Sequence, residues 1–144
     1  MPTMQRSRTI AADPRTIWEV IEDPHHLPRW WPKLERVEGV SADRWTEVYL
    51  TRKGKPVRMD FRLRESSQLW RRVWEQELAG TPFQRVLSES VTVLRIEPEG
   101  QGTRVTIERQ QQLRGYSRTG GWMLRRATRK KLDEALAGLQ RICA

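Results

Sequence analysis

The chain of 144 residues contains one cysteine, Cys143, which excludes an intrachain disulfide and a thiolate metal cluster. Histidine is almost as scarce. His25 and His26 stand side by side with no further ligand at metal-binding spacing, and both read as solvent-facing. No metal and no cofactor is expected. No apolar run approaches the ~20 residues that a membrane-crossing helix needs. The opening stretch MPTMQRSRTIAADP lacks the hydrophobic core of a secretory leader, so a cytoplasmic location is the default expectation. Repeats, low-complexity tracts, linkers, a Ser/His/Asp set and a phosphate loop are also missing.

What is present fits one domain, 1–144, with 37% hydrophobic and 31% charged residues. Lysine is sparse at five residues, so arginine carries most of the net charge of +9. Such a balance invites nucleic acid. The arginines, however, are spread along the chain and mostly alternate with apolar residues, as on the wet face of strands, so nucleic acid is not the expected main partner. Tryptophan is abundant, at seven residues.

Residues 4–12 read as a first strand. ADPRTIWEVIED then reads as a short helix, with Asp13 as N-cap, Pro14 in the first turn, and Ile17, Trp18 and Ile21 on one face. Asp23 precedes Pro24, which ends the helix. A further helical turn is expected from His26 to Trp30, stopped by Pro32. From residue 34 the period becomes that of strands, broken by GVSAD, RKGKP, ESS, AGTP and EPEGQG. In PVRMDFRLRE, Val57, Met59, Phe61 and Leu63 share one face and four charged residues the other. Five or six such strands make an antiparallel meander. From Arg118 to Ile142 the period is helical, with Leu124, Thr128, Leu132, Ala135, Leu136, Leu139 and Ile142 in one stripe.

The stretch DPHHLPRWWPKL packs three prolines and two adjacent tryptophans into residues 23–34. With the helix before it, this segment resembles the START-like superfamily, also called Bet v 1-like or SRPBCC, and within it the polyketide cyclase/dehydrase and lipid transport group. Pro14, Ile17, Trp18, Asp23, Pro24, Pro28, Trp30 and Pro32 carry the pattern. The pair Trp30–Trp31 is also similar to the RWW of Hsp90-activator-like relatives. The resemblance implies an α+β, helix-grip fold: a curved seven-stranded antiparallel sheet wrapped around a long C-terminal helix, with two short helices after the first strand. It implies binding of a polyketide, lipid or related aromatic compound in an internal cavity, with assistance to cyclisation and dehydration left open. The alternative is a partner-binding module of the Hsp90-activator or ribosome-associated type using the basic surface.

A pocket for a flat apolar molecule needs aromatic walls and a few inward polar groups. The wall candidates are Trp30, Trp31, Trp45, Phe61, Trp70, Trp74, Tyr116 and Trp122, with Tyr49 beside them. Trp45, Glu47 and Tyr49 share parity, as do Trp70 and Trp74, so each set is expected on one face. Parity leaves Val73 as the rival inward residue to Trp70 and Trp74. The chemistry of aromatase/cyclases needs an acid or base near each reacting carbon and a donor for the developing enolate. Glu47, Glu75, Glu89, Arg109, Tyr49 and Tyr116 are the available groups; Glu47, Tyr49 and Arg109 are the catalytic candidates. Glu47 also has an ordinary reading, as an exposed strand residue paired with arginine. Arg125, Arg126, Arg129, Lys130 and Lys131 form the polar face of the last helix, either simply solvated or a docking face for an acidic acyl carrier protein or an anionic surface.

Overall fold

A computed structural model describes residues 3–115 and 118–144. The order is β1 (Thr3–Ile10), α1 (Pro14–Ile21), α2 (Leu27–Trp30), β2 (Leu34–Glu38), β3 (Arg44–Leu50), β4 (Pro56–Ser67), β5 (Arg71–Gln76), β6 (Leu87–Glu99), β7 (Gly102–Leu113) and α3 (Arg118–Cys143). The first helix starts where its sequence says it should: Asp13 accepts a hydrogen bond from the Thr16 amide at 2.8 Å, and Ile17, Trp18 and Ile21 are buried. Asp23 caps the next turn in the same way, so the proline-rich hairpin is set by local bonds as well as by restricted backbone.

All strand pairs are antiparallel, in the order β1-β7-β6-β5-β4-β3-β2. The chain therefore crosses from one edge of the sheet to the other through α1 and α2. Register irregularities at Leu34/Arg36, Leu63/Glu65 and Leu87/Glu89 bend the strands and curl the sheet toward α3. On the concave side Ile10, Leu94, Ile96, Val105 and Ile107 meet Leu132, Leu136 and Leu139 of the helix. This helix-grip architecture, a curled seven-stranded antiparallel sheet around α3 with short helices after β1, is the one the sequence implies.

The outer face explains the arginines. Glu38 is shared by Arg36 and Arg58, Glu75 by Arg62 and Arg64, and Arg71 meets Glu65. These are half-exposed pairs, several across strands, each worth little alone. A small apolar cluster of Val73, Val91 and Val93 also lies on this face.

Three expectations are corrected. ESS is not a turn: β4 runs through Ser67, and the reversal falls at residues 68–70. Leu69 takes a left-handed backbone (φ 60°), which resets the alternation before β5 begins. Trp70 consequently does not share the inward face with Trp74; it is 50% exposed, while Trp74 is 4% exposed. Lys131, finally, does not belong wholly to the solvated face of α3, as described below.

Candidate functional site

Register places the concave side chains of five strands, β3 to β7, next to one another. Trp45 lies opposite Phe61, Glu47 opposite Met59, Trp74 opposite Thr92, and Thr92 opposite Arg109. Trp45 and Phe61 stack with centroids 6.0 Å apart and planes 10° from parallel, and Trp74 closes on Trp45 at 6.4 Å. From the other side, α2 brings Trp31. It packs edge-on against Trp30 at 5.6 Å and takes the Arg109 guanidinium 5.3 Å above its ring.

Within this aromatic shell sits a carboxylate. Glu47 is 3% exposed and accepts hydrogen bonds from Trp45 Nε1 at 3.0 Å and from the Tyr49 hydroxyl at 2.7 Å. Burial pushes its pKa above the ordinary value, against the pull of those bonds and of the Arg109 and Lys131 charges. Burial and the Glu47 charge hold the Tyr49 phenol far above the usual range, so Tyr49 stays protonated and donates. Arg109 Nε donates to Thr92 Oγ1 at 2.9 Å; burial lowers its pKa, but a guanidinium keeps its charge. Lys131 is exposed, yet it also borders this wall, where burial and the Arg109 charge lower its pKa.

These groups enclose a cavity of ≈ 30 Å³, bounded by Glu47, Tyr49, Gln76, Arg109 and Lys131 on its polar side and by Trp31, Phe61 and Trp74 among its apolar walls. That is about the space of one water molecule. Tyr49 and Lys131 also line a wider depression of ≈ 290 Å³ outside it, completed by Pro32, Lys33, Ala127, Lys130 and Glu134. The wide hole implied between sheet and helix is therefore mostly filled by side chains. Among the described residues a small polar chamber stays open behind Tyr49 and Lys131, with a larger vestibule in front.

The candidate residues separate accordingly. Glu47, Tyr49, Arg109, Trp31, Phe61 and Trp74 line the chamber, and Trp45 holds its carboxylate. Trp30 is 2% exposed and instead fills the core beneath the hairpin, its backbone against Gly138 of α3. Trp70 lies against Arg95, Arg104 and Thr106 near the β1 side of the outer face, and Trp122 is 51% exposed under Arg126. Tyr116 lies outside the described residues. Glu75 and Glu89 are not chamber groups: Glu75 is spent on Arg62 and Arg64, and Glu89 is paired in register with Gln112 at the far end of β6. His25 is exposed and bonded to Asp23, while His26 is half-buried with Nδ1 3.2 Å from the Val20 carbonyl.

Sequence reasoning missed Gln76 and the inward reach of Lys131. Gln76 shares parity with Trp74, a signal that was there to find. Lys131 sits beside Leu132 at the margin of the helix stripe, where a long side chain can turn inward. Among the described residues no cluster of His, Cys, Asp or Glu could hold a metal ion, and no helix is long and apolar enough to cross a membrane. The Hsp90-activator-like alternative finds no support, since Trp30 and Trp31 are 2% and 5% exposed and neither is offered to a partner.

Solved structures share the fold. The protein TTHA0849 from Thermus thermophilus is 21% identical, with a TM-score of 0.75 over 97% of this chain and 95% of that one. A START superfamily protein from Mycobacterium smegmatis is 11% identical, with a TM-score of 0.79 over 98% and 96%. The di-domain ARO/CYC protein BexL from the BE-7585A biosynthetic pathway is 19% identical, with a TM-score of 0.79 over 98% of this chain and 46% of that one. No curated protein sequence matches the chain. The family model for polyketide cyclase / dehydrase and lipid transport matches residues 1–144, and the chain belongs to that family.

Proposed function

We propose that the protein binds an apolar, partly oxygenated small molecule, of polyketide, lipid or related aromatic type, with its polar end at Glu47, Tyr49 and Arg109 and its body in the vestibule. Family and fold support hydrophobic ligand binding. The observation that carries the finer reading is the buried Glu47 carboxylate, held by two neutral donors at 2.7 and 3.0 Å beside a cationic guanidinium. A carboxylate desolvated in this way holds its proton more readily than an ordinary one, as a proton-transfer group requires.

On a poly-β-ketone, Glu47 takes a proton from a carbon next to a carbonyl, and the terminal N–H groups of Arg109 donate to the enolate oxygen. After ring closure that proton passes to the new alkoxide; Glu47 then takes a second proton from the adjacent carbon and delivers it to the hydroxyl, which leaves as water while the C=C bond forms. The exposed Arg126 and Lys130 flank the vestibule side of α3 and suit an acidic acyl carrier protein bringing a tethered chain.

Native mass spectrometry of protein from its own host tests binding: a retained apolar mass supports the proposal. For catalysis, Glu47→Gln should abolish turnover of a poly-β-ketone while ligand-induced tryptophan quenching persists. Undiminished turnover would remove Glu47 from the reaction.

A further inference from the structure

The polar wall of the chamber is unbalanced. Glu47 already accepts from Trp45 and Tyr49. Arg109 and Lys131 are both cations, and among the described residues neither is in ion-pair contact with a carboxylate. Among the described residues Arg109 donates through Nε to Thr92, and its terminal N–H groups meet no acceptor there. Gln76 adds a buried Nε2 with no hydrogen-bond partner. Arg109 and Gln76 thus present chamber-facing donors that no described residue receives, and Lys131, an exposed residue with Glu134 nearby, adds positive charge at the mouth. Buried donors and charges left in that state are costly, and a structure that keeps them is built to be completed.

We propose that this chamber is a carboxylate-binding site, so that the ligand of the proposed function is a hydrophobic monocarboxylic acid whose head is received by Arg109, Lys131 and Gln76. The inference rests on the binding proposal and narrows its ligand class. A carboxylate is flat, carries one negative charge and accepts the forked donation of a guanidinium. The apolar body of the acid lies in the ≈ 290 Å³ vestibule against Pro32, Ala127 and the lysine stems, with Tyr49 and Lys131 between body and head.

Calorimetric titration of the full chain with 2-naphthoate and with its uncharged isostere 2-naphthamide tests this. The carboxylate should bind at least about tenfold more tightly than the amide, the scale of a charge-assisted over a neutral contact. In Lys131→Met, and separately in Arg109→Gln, that ratio should fall toward one; the Lys131 change is at an exposed helix position and tolerates the fold. Equal affinity for the two compounds in the unaltered protein overturns the carboxylate site and leaves hydrophobic binding standing. Binding of neither at millimolar concentration overturns both.

Discussion

Glu47 and Tyr49, two positions apart on the concave side of β3, are joined by a 2.7 Å hydrogen bond in which the phenol donates to the carboxylate. Each explains the other's state. The carboxylate discourages ionisation of the phenol, and the phenol offsets part of what burial costs the carboxylate. Tyr49 also lines both the chamber and the vestibule.

Glu47→Gln should change how stability depends on pH. The folded pKa of Glu47 lies above the ordinary 4.5, so between these two values the folded chain holds a proton that the unfolded chain has released. Wild-type stability therefore falls as pH rises through that window, by up to about 1.4 kcal/mol per pH unit for one group. Glutamine removes that slope. The low-pKa carboxylates Asp13, Asp23 and Glu38 act in the opposite sense, but they are common to both proteins and cancel. Thermal unfolding from pH 4 to pH 8 should show the variant gaining on wild type as pH increases; a constant difference would place the carboxyl at its ordinary pKa.

Tyr49→Phe deletes one of the two donors to Glu47 and leaves the ring. A hydrogen bond to a charged group is worth about 1.5–3 kcal/mol, and a neutral one about 0.5–1.5. The loss should accordingly be larger where Glu47 is ionised than where it is protonated. Urea unfolding at two pH values reads this directly, and an equal loss at both would show that the bond is not charge-assisted.

Gly138→Ala tests how α2, and with it Trp31, is held. Alanine in a helix interior gains about 1 kcal/mol over glycine. Here an added Cβ would overlap the Trp30 carbonyl oxygen and stand 2.9 Å from Trp30 Cα, both backbone atoms that cannot swing aside. Overpacking costs of about 1–3 kcal/mol apply, at the upper end when backbone must move. A net loss of about 1–2 kcal/mol and weaker ligand binding should follow, because Trp31 rides on the displaced α2. A stabilised variant would mean that α2 is loosely seated.

The fold was legible because its signals are local and periodic. Asp13 and Pro14 marked the helix start, and the alternation from Val57 to Leu63 gave the inward face of β4. The same parity grouped Trp45, Glu47 and Tyr49 on one face without saying which way it points; the packing of the sheet turns that face, and Arg109 with it, to the concave side. It failed at Trp70, where a left-handed Leu69 breaks the count, because parity holds only within one continuous strand. The pairing of Arg109 with Trp31 joins residues far apart in sequence, and the inward turn of Lys131 depends on where α3 crosses the sheet. No period encodes either. The size of the chamber follows from how fully these side chains fill it, which is a matter of packing.

The seven tryptophans give the most direct test of where a ligand sits. Their indole N–H resonances, assigned by single substitution and followed during titration with 2-naphthol, report separately on the chamber and on the outer surface. A ligand seated in the chamber and its vestibule should shift Trp31, Trp45 and Trp74, with Trp70 and Trp122 unmoved. Shifts confined to Trp70 or Trp122 would contradict that placement.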